Sequence, residues 1–407
     1  MKKFKLRNLG LIAILALILS ACGSNNQKSE KTNNEESKVE ENLQEDNKND
    51  SSENKDDEKT EGKILIEDVL GRKVELDKPL DKVIIQGSGS GGPFMTMMYL
   101  DRENFYKKIA AMDDGMRLHR NDLYKRLVDK IPELDDIKRV SNFADNDFSL
   151  EELLSIDADG IIAPVSYKAQ LDAIEDKIDL PIIYVDYHNQ DFDDHLKSTE
   201  IIAKATGLDK NLDKLNGFYK EKIDSMKERL KDVSDKPRVY LEHGYEGEHA
   251  YGNSYGNEMM WGKIINDAGG YNLTGDVLGE KEATPVSEEF VLSQDPDMIF
   301  ITGAEWIEKP ESMKMGFGIS PEDVNKKIDK YKIRNGWKDL TAMKEKNVYV
   351  IGQNLARDMS DFYAYETLAK TFHPDLFEDV DPEADMKDFY ENFMPIEYQG
   401  TWFSKYE

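Results

Sequence analysis

The stretch from Glu242 to Gly256 concentrates side chains able to ligate a metal or stack on a flat ligand: His243, Tyr245, His249, Tyr251 and Tyr255. Phenolate oxygen suits Fe(III), and imidazole suits iron, nickel, copper or zinc. His243, His249 and Tyr255 are therefore the candidate metal ligands, with His249, Tyr251 and Tyr255 as ligand contacts. No H-x-x-x-H spacing or cysteine cluster accompanies them, so a closed structural zinc site is not expected. Each residue, taken singly, also reads as ordinary loop or core. A second stretch, Gly87-Ser88-Gly89-Ser90-Gly91-Gly92, follows the apolar run Val83-Ile84-Ile85 and contains G-x-G-x-x-G. In a cytosolic enzyme this pattern suggests a dinucleotide, but Pro93 interrupts the helix opening. The glycines would instead let backbone amides and the Ser88 and Ser90 hydroxyls approach a ligand at a helix N-terminus, or form a tight turn with no ligand. Open α/β sheets bind at strand ends, which adds Tyr167, Tyr187, His188, Trp306 and Arg357 as ligand-binding candidates. Arg357 suits an anion, and Trp306 and the tyrosines suit a flat partner. His195 and His373 read as structural. No nucleophile–base pair or acid–base dyad is visible, so the chemistry expected is capture rather than turnover, and the catalytic set is empty.

The elements that must hold these groups are arranged about one long helix. Apolar residues at Leu208, Leu212, Leu215, Phe218, Tyr219, Ile223, Met226, Leu230 and Val233 recur at three- and four-residue steps, the period of one helix face. A helix over 208–233 would be about 39 Å long, roughly the span of a domain. On both sides strand and helix phrases alternate, the pattern of a mainly parallel sheet covered by helices. Both sides also carry the same phrase. Ser149-Leu150-Glu151-Glu152 leads to Gly160-Ile161-Ile162, and Ser287-Glu288-Glu289-Phe290 leads to Met298-Ile299-Phe300. In each phrase an acid sits in the first turn of a helix, where the dipole favours it. The expected fold is two α/β lobes bridged by a single long α-helix. The lobes span 63–207 and 234–407. The stretch Glu305 to Tyr331 reads as an insertion or a long mobile loop.

The start of the chain reads as an export signal over 1–21: Lys2, Lys3, Lys5 and Arg7, then an apolar run from Leu9 to Leu19 too short to span a bilayer comfortably. It ends at Leu19-Ser20-Ala21-Cys22, and Cys22 is the chain's one cysteine, so no intrachain disulfide forms. Residues 22–62 carry almost nothing large and apolar and are expected to be a disordered acidic tether. The net charge of -28 argues against nucleic acid, whose phosphates need a basic footprint.

Taken together, these residues resemble the substrate-binding lipoproteins of ABC importers in the iron-siderophore and cobalamin class. The resemblance rests on Asp68-Val69-Leu70-Gly71-Arg72, the twin glutamate phrases, Ala268-Gly269-Gly270-Tyr271-Asn272, Trp337-Lys338-Asp339-Leu340 leading into Asn347-Val348-Tyr349-Val350, and Phe372-His373-Pro374. Leu19 to Cys22 resembles the lipobox, in which Cys22 becomes the lipidated N-terminus; an ordinary cleaved signal with an incidental cysteine is the alternative. The family implies that one glutamate per lobe, here Glu151 and Glu289, docks onto arginines of the permease, with Glu152 and Glu288 as neighbouring competitors. It further implies a ligand cleft between the lobes, a monomer, no intrinsic cofactor, and an extracytoplasmic, lipid-anchored receptor working with an ABC permease and ATPase. The ligand implied is a small metal chelate, with an Fe(III)-siderophore foremost. Corrinoid, heme and small nickel or cobalt complexes stay open, as do a sensor or scavenger without a permease and an extracellular enzyme. Arg117, His119 and Arg120 fall where the family varies and are weaker cleft candidates.

Overall fold

The expected hairpin opens the globule: Ile64–Glu67 (β1) pairs antiparallel with Lys73–Leu76 (β2). Its turn is closed by Asp68, whose buried carboxylate accepts the N–H groups of Leu70 and Arg72 at 3.0 Å and pairs with Arg72 Nε at 3.0 Å. The computed structural model describes residues 62–87, 91–143, 148–279 and 283–407. The expected signal over 1–21, the tether, Cys22, Ser88 and Ser90 lie outside the described residues.

The first lobe is built on five strands: Val83–Ile85 (β3), Ile109–Met112 (β4), Lys138–Arg139 (β5), Gly160–Pro164 (β6) and Ile182–Val185 (β7). They lie in the order β5-β4-β3-β6-β7, all parallel. β3, β6 and β7 are buried throughout, as expected of parallel strands covered on both faces. The second lobe follows Arg238–His243 (β8), Asn253–Ser254 (β9), Tyr271–Asn272 (β10), Thr284–Pro285 (β11), Met298–Gly303 (β12), Val348–Gly352 (β13) and Phe403–Lys405 (β14). Its main sheet has the order β10-β8-β12-β13-β14, parallel except for β14, which closes the edge antiparallel to β13. β9 and β11 form a separate small ribbon.

The bridging helix is Leu212–Leu230, buried through Leu215, Tyr219, Ile223 and Met226. It is shorter at both ends than the periodicity suggests, because Leu208 and Val233 are apolar residues of the flanking turns. Beside it, the C-terminal helices Phe362–Phe372 and Pro382–Phe393 pack on the same rod: Phe218 lies 5.1 Å from Phe362 and 5.8 Å from Phe389, centroid to centroid. Phe389 also meets Tyr99 of the first lobe at 5.0 Å. One apolar core therefore runs from Ile66 to Trp402 through both lobes.

The Glu305–Tyr331 stretch is packed rather than loose. Met313 and Met315 are buried, Gly316 pairs with Thr401, and Pro321–Tyr331 is an amphipathic helix capped by Ser320. Phe317 N–H reaches Asp122 of the first lobe at 3.1 Å, and Arg126 lies over the Phe317 ring at 4.7 Å. Alternating Lys, Glu and Met conceal this packing in the sequence, since the contacts that bury it come from residues far along the chain.

Candidate functional site

The carboxyl ends of β7, β8 and β13 meet at a cavity of about 350 Å³ lined by His188, His243, Asn253, Tyr255, Met259, Met260, Ala283, Gln353 and Arg357. Each polar group is set by local chemistry. Asp186, at the end of β7, accepts the N–H groups of His188 at 2.7 Å and Asn189 at 3.3 Å and so turns His188 outward from the strand. Gln353 follows β13 and is fixed by Trp261 Nε1 at 3.0 Å on its oxygen, while its nitrogen faces the Tyr255 hydroxyl at 3.5 Å. Gly252 lets the chain fold back against β8: a Cβ there would lie 1.9 Å from the His243 carbonyl oxygen. One wall is aromatic. His243 lies parallel to Tyr245 at 5.8 Å and edge-on to Trp306 at 4.9 Å, and Tyr245 meets Trp306 at 5.4 Å.

The electrostatics turn on Arg357. Its Nη1 donates to His188 Nδ1 at 3.3 Å, which fixes His188 as a neutral imidazole with its proton on Nε2. Burial, then the Arg357 charge, pushes His188 down to about 4; burial, then Arg357 and His119, does the same for His243. Both rings are therefore neutral at pH 7; the one lone pair of His188 is taken up by Arg357, while His243 keeps a lone pair for a metal or a donor. Arg357 itself is held below the usual arginine value by burial, with Arg120 adding repulsion. Among the described residues it forms no ion pair with a carboxylate. Arg120, buried behind it, pairs with Asp358 at 2.8 Å, yet its Nε has no partner. A desolvated cation without an acid is costly unless something anionic meets it. Burial also holds the Tyr255 phenol above its ordinary value, with the Arg357 charge acting against that rise.

The sequence profile described as periplasmic binding protein matches residues 106–355, more than half of the chain. This chain belongs to the periplasmic binding protein family. It is similar to the TroA-like periplasmic binding protein FepB from Veillonella parvula, 37% identical over 84% of this chain and all of that one, with a TM-score of 0.79. The molybdate-binding protein MolA of Haemophilus influenzae is 22% identical over 82% of this chain and 92% of its own length. Helicobacter pylori CeuE, solved with a nickel–histidine complex, shares the fold at 19% identity, covering 83% of this chain and 97% of that one with a TM-score of 0.60. The protein is thus an extracytoplasmic substrate-binding component of an ABC transporter, whose partners are a permease–ATPase complex and a small ligand. No helix among the described residues is long and apolar enough to cross a membrane.

Of the residues expected at the site of this binding protein, His188, His243, Tyr255 and Arg357 line the cavity, and Trp306 backs its aromatic wall. Four others are placed elsewhere. Tyr187 is buried, its hydroxyl bonded to Thr96 at 2.8 Å and Thr199 at 3.1 Å in the first lobe's core. Tyr167 is buried with its hydroxyl accepting from Asn142 at 2.7 Å. Tyr251 turns away from the cavity; its hydroxyl accepts from Trp337 Nε1 at 2.7 Å under the Arg334 guanidinium. His249 is exposed and gathers with Glu248 and Glu311 rather than with His243 and Tyr255, so the three expected metal ligands do not converge. Lys327 already pairs with both of those glutamates, at 2.5 and 3.6 Å. Gln353 and Asn253 line the cavity without a sequence signal of their own, whereas His119 and Arg120, the weaker candidates, act on it through their charge on His243 and Arg357. His195 is structural, as expected: it pairs in the interior with Asp361 at 3.1 Å.

The twin phrases fold alike. Ser149 and Ser287 cap their helices by accepting from Glu152 and Phe290 N–H at 3.2 and 3.1 Å. Asp159 and Asp297, ten residues beyond each cap, accept the N–H groups of Lys82 at 3.0 Å, just before β3, and of Arg238 at 2.8 Å, the first residue of β8. This correspondence matches Glu151 with Glu289, both exposed. Their neighbours are engaged: Glu152 accepts from the Ser141 hydroxyl at 3.1 Å, and Glu288 from Asn335 at 2.7 Å.

Proposed function

We propose that this binding protein captures a compact, anionic metal chelate, an Fe(III)-siderophore being the leading class, and delivers it to its permease from a lipid anchor at Cys22. The observation that carries the reading is the Arg357 guanidinium, drawn into the cavity with no carboxylate partner among the described residues. An anionic ligand supplies the missing charge, while His243, backed by Tyr245 and Trp306, offers an aromatic face to a catecholate or similar ring. Similarity to proteins described as binding molybdate and a nickel–histidine complex supports a charged, metal-containing cargo. The cavity volume of about 350 Å³ lies near the low end of small-molecule sites, about 300–1,000 Å³. That favours a compact chelate over a heme or corrinoid macrocycle.

A small nickel complex is the second reading, favoured by the neutral imidazole of His243, with His188 of the other lobe able to join once it releases Arg357. Glu151 and Glu289 are the docking carboxylates we assign to the permease contact. Paired charges on the two lobes fix orientation more than they add affinity. The full-length protein, purified in detergent from cells fed mixed iron and nickel chelates, tests the proposal by native mass spectrometry with an absorbance spectrum. A coloured, stoichiometric iron adduct is the expected result. A stoichiometric nickel adduct moves the ligand to the second reading, and a corrinoid or heme spectrum overturns both.

A further inference from the structure

We infer that Gln190 is a positioning residue for the cleft: by clasping the Arg357 backbone across the lobe seam, it fixes where the guanidinium points. The inference rests on the reading of Arg357 as a ligand contact. Gln190 lies in the first lobe just after β7 and is 1% exposed. Its side-chain oxygen accepts the Arg357 N–H at 3.0 Å, and its side-chain nitrogen donates to Asp361 Oδ2. Its backbone carbonyl accepts the Tyr365 hydroxyl at 3.4 Å. All of these partners belong to the second lobe, so one residue joins the lobes by three bonds.

The geometry is unusual on both sides of the clasp. Gln190 has φ 61° and Arg357 has φ 69°, left-handed conformations that side chains disfavour. Such a conformation persists where its surroundings over-determine it. Here the surroundings are each other. A glutamine fits because its amide donates and accepts at once, to a carboxylate on one side and from an N–H on the other. Asp361 is anchored again by His195 Nδ1 at 3.1 Å, and Asp358, three residues earlier, takes Arg120 at 2.8 Å and the Tyr99 hydroxyl at 3.0 Å. The 353–361 segment is thus pinned to the first lobe on its far side, and the Gln190 bond is the pin on the Arg357 backbone, while His188 of the same lobe meets the guanidinium at 3.3 Å. A change in lobe angle would move Gln190 and so tilt the guanidinium. This is a physical route by which closure and ligand contact are coupled.

The test uses the full-length protein in detergent with Gln190→Met, which keeps length but removes donor and acceptor, and Gln190→Glu, which keeps the acceptor for the Arg357 N–H. Hydrogen exchange at the Arg357 amide, followed by mass spectrometry of the peptide containing it, needs no ligand. The expected result is fast exchange in Gln190→Met and protection restored in Gln190→Glu at a pH low enough for the new carboxyl to hold the proton it donates to Asp361, each with melting temperatures that report global folding separately. Unchanged protection in Gln190→Met overturns the inference. The affinity for the Fe(III) complex of 2,3-dihydroxybenzoate, read by tryptophan fluorescence, should fall about tenfold in Gln190→Met and no further in the Gln190→Met/Arg357→Ala double variant than in Arg357→Ala alone. An equal loss in both backgrounds shows that Gln190 acts apart from Arg357 and also overturns it. If Arg357→Ala binds the complex as the parent does, the ligand reading fails instead, and the exchange result still decides whether Gln190 holds the Arg357 backbone.

Discussion

Arg334 offers the sharpest energetic test, because one side chain holds the loop that carries His243 and Tyr245. Its guanidinium pairs with the fully buried Glu242 at 2.7 and 2.8 Å. It also donates to the carbonyls of Gly247 at 2.9 Å, Glu248 at 3.0 Å and Ala250 at 2.6 Å. Tyr251, Tyr331 and Trp337 surround it at 4.5–4.6 Å. Replacing Arg334 by methionine keeps much of the volume but leaves the Glu242 carboxylate buried, with the Tyr240 hydroxyl at 2.8 Å its one remaining side-chain donor among the described residues. Removing one partner of a buried ion pair costs about 3–5 kcal/mol, a large share of the roughly 5–15 kcal/mol that holds a typical domain. Adding Glu242→Gln to that variant takes away the stranded charge and should recover a measurable part of the loss. Urea unfolding followed by tryptophan fluorescence reads both numbers, and chelate binding reads the freed loop. A loss below about 1 kcal/mol for Arg334→Met, or a double variant no more stable than the single one, would refute the reasoning.

Other outcomes follow from the same geometry. Burial raises Glu366 to about 8 from an ordinary 4.5; the native state therefore keeps a proton that the unfolded chain releases, and stability contributed by this group is full below about 4.5 and lost as pH rises to about 8. Glu366→Gln should flatten that slope in urea titrations at pH 5 and pH 8, and parallel curves for parent and variant would count against it. Arg357→Ala should raise His188 and His243 from about 4 in NMR titrations but leave both below 6.5, because burial is the larger cause. Glu151→Ala with Glu289→Ala should abolish most uptake of labelled chelate while binding stays as in the parent; intact uptake would remove the docking assignment. Cys22→Ala should abolish incorporation of labelled palmitate and release the protein from membranes, and continued incorporation would rule out lipidation there.

Much of the architecture is legible in the sequence because it follows from near neighbours. The bridging helix is written in the spacing of Leu215, Tyr219, Ile223 and Met226, all buried in the fold. The strands β3, β6, β7, β12 and β13 are apolar runs bounded by turn residues, and the twin phrases carry their own caps at Ser149 and Ser287. The short edge strand Phe403–Lys405 and the helix Pro382–Phe393 carry weaker signals. The strand is only three residues long and is defined by its pairing with β13, and the helix hides its buried Met386, Phe389 and Phe393 among acids.

The candidate site divides in the same way. Tyr251 and Tyr255 are four residues apart in one Tyr- and His-rich loop, yet one is tied under Arg334 and the other faces Gln353 in the cavity. No local pattern distinguishes them, because the partners that decide lie 83 or more residues away. Residue types and periodicity determined by themselves that this chain forms two α/β lobes around a helix and offers histidine, tyrosine and arginine at strand ends. The tertiary structure alone decided which of them share the cleft. Side-chain direction at a strand end is set by contacts such as Gln190 with Arg357, 167 residues apart, and those contacts exist only once both lobes have closed on a common core.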